Sequence, residues 1–331
     1  MNSAATTNGT YPRATSTSIN YAHLVQWQSS TAAFIFTALA ALITVCITRN
    51  LIQKAKSKHS KMIYIYLLFW CIFRVTAFSL RAFILTHDNG ENYKTYQWTS
   101  IIASLGFMPL AEVLAFCALK SLALMYGFSN QKLHRLDLAI KLCFLVFGGL
   151  LTAFVVDYTM NKPFGSDPKG YAGLVVCREI GFNGLMLITL TALVVSFGNM
   201  RQSVISRTQI PPHLVTAFTR MNGMVCVQAV LMVVKLVYTT YRNWNPSQGR
   251  SEVLWYAIGM APEFVFMLWY VRHDTLLSVF DEVEAALDET DKIASDGLKL
   301  EEANALSEGS DEFLINRGEQ SLKRPDSQSS K

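Results

Sequence analysis

Apolar residues gather in seven long runs separated by shorter polar stretches: about 31–48, 62–85, 100–126, 138–158, 172–197, 222–241 and 253–272. A helix that crosses a bilayer needs about 20 mostly apolar residues. Inside the hydrocarbon its backbone polar groups must be satisfied within the segment itself. The pattern therefore predicts an all-α chain, a bundle of seven transmembrane helices. The first run, TAAFIFTALAALITVCIT, and to some extent the fourth are simple lipid-soluble helices. Charged residues interrupt several of the others, which must pack against one another to hide polar groups.

Basic residues give the bundle a direction. Only Arg13 precedes the first run, whereas Arg49, Lys54, Lys56, Lys58 and Lys61 follow it. Lys132, Arg135, Lys141, Arg201, Arg207 and Arg220 fall in the later loops of the same side. The opposite side holds Lys94, Lys162, Lys169, Arg242 and Arg250. Basic loops stay in the cytoplasm, so the N-terminus is expected outside and the C-terminus inside. Three regions follow: an extracellular polar tail over 1–29, the bundle over 30–272 and an acidic cytoplasmic tail over 273–331. The first tail lacks the basic n-region of a signal peptide. It carries a glycosylation sequon at Asn8 (Asn8-Gly9-Thr10). In the second tail, the apolar spacing from Leu276 to Leu287 suits an amphipathic helix lying along the membrane. Beyond Asp288 the composition is that of a disordered segment, and Ser307 and Ser310 sit beside Glu308, Asp311 and Glu312 in a context for acid-directed phosphorylation.

Composition agrees with a membrane class: 51% of residues are hydrophobic and 16% charged, against about 25% charged in an average soluble domain. The net charge of +5 hides a division. Residues 1–272 hold 23 Lys/Arg and 9 Asp/Glu, whereas residues 273–331 hold 6 and 15. Loop bias accounts for the basic excess, which is no argument for nucleic-acid binding. The cysteines (Cys46, Cys71, Cys117, Cys143, Cys177 and Cys226) lie in or beside apolar runs without metal-ligand spacing. They read as small core residues, with neither a structural disulfide nor a metal expected. No cofactor is implied.

The informative residues are the charges inside the runs. Arg74 and Arg81 share one face of the second segment, and Glu112 and Lys120 lie in the third. Glu179, Lys235 and Glu263 lie in the fifth, sixth and seventh. A charge at the bilayer centre costs roughly 2.5–3.5 kcal/mol even on the mild insertion scale, so such residues turn inward and pair or line a wet cavity. Register predicts a central group, Arg74 with Glu112 and Glu263, and an outer group, Lys235 with Glu179, near the level of Arg81. These groups are either ion pairs that fix packing or a ligand, substrate or proton site. Pro109 precedes Glu112 and Pro262 precedes Glu263. Each proline frees a carbonyl and kinks its helix. The common order of base and acid in segments 2–3 and 6–7 raises a parallel three-helix repeat, as some transporters have.

Motifs separate this chain from several seven-helix families. Rhodopsin-like receptors carry Asp/Glu-Arg-Tyr after helix 3, where this chain has Leu124-Met125-Tyr126-Gly127. They carry Asn-Pro-x-x-Tyr in helix 7, where it has Ala261-Pro262-Glu263-Phe264, and a cysteine at the outer end of helix 3, which it lacks. Retinal proteins need a lysine in helix 7, and 253–271 has none. The histidine metal set of progestin/adiponectin-receptor-like proteins is missing, since the six histidines fall in loops or tails. The central Arg74 in LLFWCIFRVTAF, the basic entry to helix 6 at Arg220, and helix 7 from Tyr256 through Glu263 to Arg272 are similar to a diffuse receptor-like seven-transmembrane superfamily. It includes the plant tobamovirus-multiplication host factors and the animal adipocyte-associated receptor-like membrane proteins. The likeness covers the membrane part. Fungal lipid-translocating exporters share the outline of seven helices with an acid in the last.

The first functional expectation is a G-protein-coupled-receptor-like sensor. Its support is the N-out topology, the short outer loops, the basic third inner loop from Met200 to Arg220 and the possibility of regulation in the tail. Its ligand would be a small molecule or lipid held within the bundle. Its partner would be a cytoplasmic signalling protein such as a heterotrimeric G protein. A transporter or lipid translocator using the buried acids and bases is the alternative. An acid-initiated terpene-cyclase-type enzyme with Glu112 or Glu263 as proton donor is a third reading, and a scaffold a fourth. No enzyme activity is the primary expectation, and the location is the plasma membrane or an endomembrane.

Overall fold

The computed structural model describes residues 27–55, 57–87, 93–128, 130–160, 168–205, 210, 212–244, 251–272, 277–282 and 285. Asn8 and the Ser307/Ser310 region lie outside the described residues. Helix α1 covers Ser30–Gln53 and α2 Lys58–Thr86. The third span is two helices, α3 (Tyr93–Leu105) and α4 (Met108–Tyr126). Then follow α5 (Asn130–Met160), α6 (Pro168–Ile205) and α7 (Val215–Trp244), the last entered by a 3₁₀ turn at Pro212–Leu214. The final span comprises a short α8 (Glu252–Leu254), a π-helical stretch (Trp255–Met260) and α9 (Ala261–Val271). Seven helical spans among the described residues are long and apolar enough to cross a membrane. The protein is thus a seven-helix integral membrane bundle.

Local chemistry sets several of these boundaries. Ser29 caps α1 by accepting from the Ala32 amide at 3.0 Å, and Ser57 caps α2 by accepting from Ser60 at 3.0 Å. Gly127 ends α4 at φ 58°, the left-handed position that a residue without Cβ occupies at no steric cost. Within α1, the Thr37 and Thr44 hydroxyls donate to carbonyls one turn back, at 2.8 and 2.7 Å. That satisfies polar groups that face lipid.

The spans close into a ring. Consecutive spans pack together, α9 packs back on α1, and α4 runs through the middle against α2, α5, α6 and α7. The first and fourth spans bury 22% and 17% of their apolar windows, against 67% for the third. Lipid solvates the first two, and the third forms the core. Glycines bring α5 and α6 together. A Cβ on Gly184 would stand 2.4 Å from the Phe147 ring, and one on Gly181 would stand 2.8 Å from Leu151.

The compact unit runs past residue 272, through Asp281. Residues 277–282 are helical, with Leu277 and Phe280 buried, and Ser60 Oγ donates to Asp281 Oδ1 at 2.7 Å. Histidines do not all sit in loops: His59 and His134 lie near the starts of α2 and α5. All six cysteines are free thiols.

Candidate functional site

Three spans aim one charged side chain each at a single point. Arg74 of α2 grips Glu263 of α9 with both arms, Nε donating to Oε2 at 2.6 Å and Nη2 to Oε1 at 2.7 Å. Lys235 of α7 donates to the same Oε1 and to the Gly259 carbonyl at 3.1 Å. The Trp70 indole, one turn from Arg74, donates to Oε2 at 2.5 Å. Arg74 and Glu263 are fully buried, and Lys235 is 4% exposed. Two buried cations therefore share one buried carboxylate.

Both broken spans serve this point. Helix three stops at Leu105, and Arg74 Nη1 donates at 2.9 Å to the Ala103 carbonyl at that open end. Gly106 lies directly on the guanidinium: a Cβ there would come 2.9 Å from Arg74 Cζ. In the last span the π stretch Trp255–Met260 runs up to Pro262, and the Gly259 carbonyl within it accepts from Lys235. Phe107, at the break of the third span, places its ring 5.1 Å from Lys235 Nζ.

Next to the cluster, toward the end that the charge bias assigns to the outside, lies a cavity of about 130 Å³. Lys235 forms part of its wall, with Trp27, Phe107, Phe182, Arg242 and Trp255. Lys235, Thr239 and Arg242 follow one another on one face of α7, at the helical spacing.

Arg81, seven residues beyond Arg74, closes this end. It pairs with Glu252 and lies 4.7 Å from the Trp27 ring and 4.5 Å from the Trp255 ring. Glu252 Oε2 also accepts from the Gln28 and Ser29 amides at 2.9 and 3.0 Å. One carboxylate thus ties the entry of α1 to α2. Glu252→Ala is expected to free that entry, and faster hydrogen exchange at the Gln28 and Ser29 amides, compared with wild type, reads the change. Unaltered exchange at these two amides would show the clamp to be incidental.

The predicted groupings are corrected by this geometry. Glu112 does not join Arg74 and Glu263. It lies half-buried on another face of α4 beside Tyr66, near Asp137 and Lys141. The face of a kinked helix cannot be read from a straight-helix register, and the break at Gly106 rotates α4 relative to α3. Glu179 does not pair with Lys235; its partner is its neighbour Arg178, at 3.0 Å. Lys235 instead reaches the central acid. The bases of the second and sixth spans thus converge on one glutamate, and the charges do not form two equivalent base–acid pairs. Lys120 is buried at 7% exposure, about 20 Å along the helix axis from the Gly106 break.

Sequence reading passed over several members. Trp70 and Gly106 carry no charge, and Glu252 stands at the edge of its run. An acid in the first turn of a span is the signal that could have flagged it. A second polar set in the other half of the bundle was also missed. Asn199 Nδ2 donates to Ser121 Oγ at 3.0 Å, Ser121 Oγ to Asn222 Oδ1 at 2.6 Å, and all three residues are buried. It joins α6, α4 and α7. Asn50 Nδ2 donates to the Tyr270 and Val271 carbonyls at 3.1 and 2.8 Å, tying α1 to the end of α9. Among the described residues no three His, Cys, Asp or Glu side chains come together as a metal set would. The chain matches no family model, no curated protein and no solved structure.

Proposed function

We propose that the protein is a membrane sensor in which a small ligand enters the outer cavity and shifts the Arg74–Glu263–Lys235 cluster. The supporting observation is the double placement of Lys235, which lines the cavity and also holds Glu263. A ligand that engages Lys235 changes what ties α7 to the last span. The same α7 carries Asn222 of the polar set at the other end. A ligand moves such an equilibrium only by binding one arrangement better than the other, and a shared side chain provides that difference. Cytoplasmic loops, with the basic stretch from Met200 to Arg220, would present the change to a signalling protein such as a heterotrimeric G protein. The likeness of Arg74, Arg220 and the last span to receptor-like seven-helix proteins points the same way.

A carrier is the second reading, and the two interrupted spans favour it. Broken helices meeting at charged residues near mid-membrane are a device of transporters. The acid-initiated enzyme loses support at Glu263, whose two oxygens accept from Arg74, Lys235 and Trp70 and so hold no proton to give.

Both leading readings can be tested on one reconstituted preparation, with small organic acids as probes. Nucleotide exchange on a heterotrimeric G protein and flux into the vesicle are followed together for wild type and Glu112→Gln. Probe-dependent exchange without flux, retained in the Glu112 variant, is expected of the sensor. Flux without exchange would replace it with the carrier.

A further inference from the structure

We infer that the outer cavity is a site for a small organic anion, a carboxylate of about benzene size, held by Lys235. The inference rests on the reading of this cavity as the ligand site. Charge is the first ground. Arg74 and Lys235 bring two positive charges to the single negative charge of Glu263, so the buried cluster carries a formal excess of one. Buried charges are stable when paired and fully hydrogen-bonded. An anion at Lys235 would complete the balance.

The donor count is the second ground. An ammonium has three N–H donors. Lys235 spends one on Glu263 Oε1 and one on the Gly259 carbonyl. Glu263 offers little more: Arg74 and Trp70 occupy both of its oxygens already. The third donor of Lys235 has no acceptor among the described residues, and Lys235 lines the cavity.

The walls specify the rest of the ligand. Among the described residues, no Asp or Glu lines the cavity. Ser100 and Ser104 offer hydroxyls across from α7, and Arg242 stands farther out on the Lys235 face, where its charge draws anions inward. Phe107, Phe182 and Trp255 supply flat apolar surface. A dry engineered cavity of about 150 Å³ accepts benzene, so the 130 Å³ here suits an aromatic or short aliphatic body with one charged end. Docking of the carboxylate on that third donor makes Lys235 share its charge between Glu263 and the ligand and leaves the two-armed Arg74 pair intact. It thereby loosens α7 from the last span.

The full chain in lipid nanodiscs is titrated with acetate, butyrate, benzoate and dodecanoate, and with neutral benzamide and cationic benzylamine. Calorimetry measures affinity, and quenching of Trp27 and Trp255 fluorescence reports occupancy. Benzoate is expected to saturate and to bind about tenfold or more tighter than benzamide, the worth of a charge-assisted hydrogen bond. Lys235→Met leaves the neutral Arg74–Glu263 pair and should fold, yet lose benzoate by a similar factor. Ser104→Leu fills the cavity without touching the cluster and should lose it too. Dodecanoate that displaces benzoate with higher affinity assigns the carboxylate to the bilayer rather than to the aqueous phase. Equal binding of benzamide or benzylamine, undiminished binding by Lys235→Met, or no saturation by any carboxylate would overturn the anion site. Benzoate binding with no G-protein exchange overturns the sensor reading alone. Exchange driven by benzamide overturns the anion alone.

Discussion

Glu263→Gln is expected to cost about 3–5 kcal/mol of stability, the range seen when one partner of a buried ion pair is removed. The side chain has almost the same shape, so packing is not the cause. Arg74, Lys235 and Trp70 all donate to this carboxylate, and all are buried. An amide accepts through one oxygen and presents donors on its other arm. One arm would therefore set N–H against N–H, and two cations would remain with no counter-charge. Thermal unfolding of the purified chain in detergent measures the loss. Adding Lys235→Met to Glu263→Gln removes one of the stranded charges and should recover part of it. The cycle separates this coupling from two independent defects. A Glu263→Gln protein as stable as wild type would show that the cluster does not hold the bundle.

Gly106→Val is expected to rank next, at about 1–3 kcal/mol for overpacking, plus whatever the displaced guanidinium then loses. A branched side chain at this position begins 2.9 Å from Arg74 Cζ and Nη1. An arginine end normally moves aside at little cost. This one is held by Glu263 on two arms and by the Ala103 carbonyl on the third, so either the grip breaks or α3 shifts. Gly149→Ala is the control: nothing lies within 4 Å of its Cβ position. Replacing a helical glycine by alanine there should stabilise by up to about 1 kcal/mol. The same unfolding measurement compares the two, and equal behaviour would refute the steric argument.

Hydrophobic period and charge were enough to read the architecture. Seven runs of the right length became seven spans because, in lipid, each backbone must satisfy itself, a demand that acts segment by segment. The two runs freest of buried charge became the spans with the smallest buried share. Arg74, Lys235 and Glu263 were recognisable as inward-facing for the same local reason: a charge in a hydrophobic run has nowhere else to go. The prolines marked where the backbone would open.

Pairing was decided only by the tertiary structure. Whether Glu112 or Glu263 receives Arg74 depends on the rotation of one helix relative to another. That rotation is set by the break at Gly106 and by which neighbours α4 packs against. Lys235 prefers the central acid to Glu179 because the π stretch swings Glu263 and the Gly259 carbonyl into its reach, while Arg178 neutralises Glu179 locally. Trp70 and Gly106 matter through a single contact each, and nothing in their own chemistry announces it. The apolar pattern thus determined how many helices cross and which residues point inward. Which of those residues meet, and the cavity they leave beside Lys235, came from helix rotation and close packing, which are properties of several spans together.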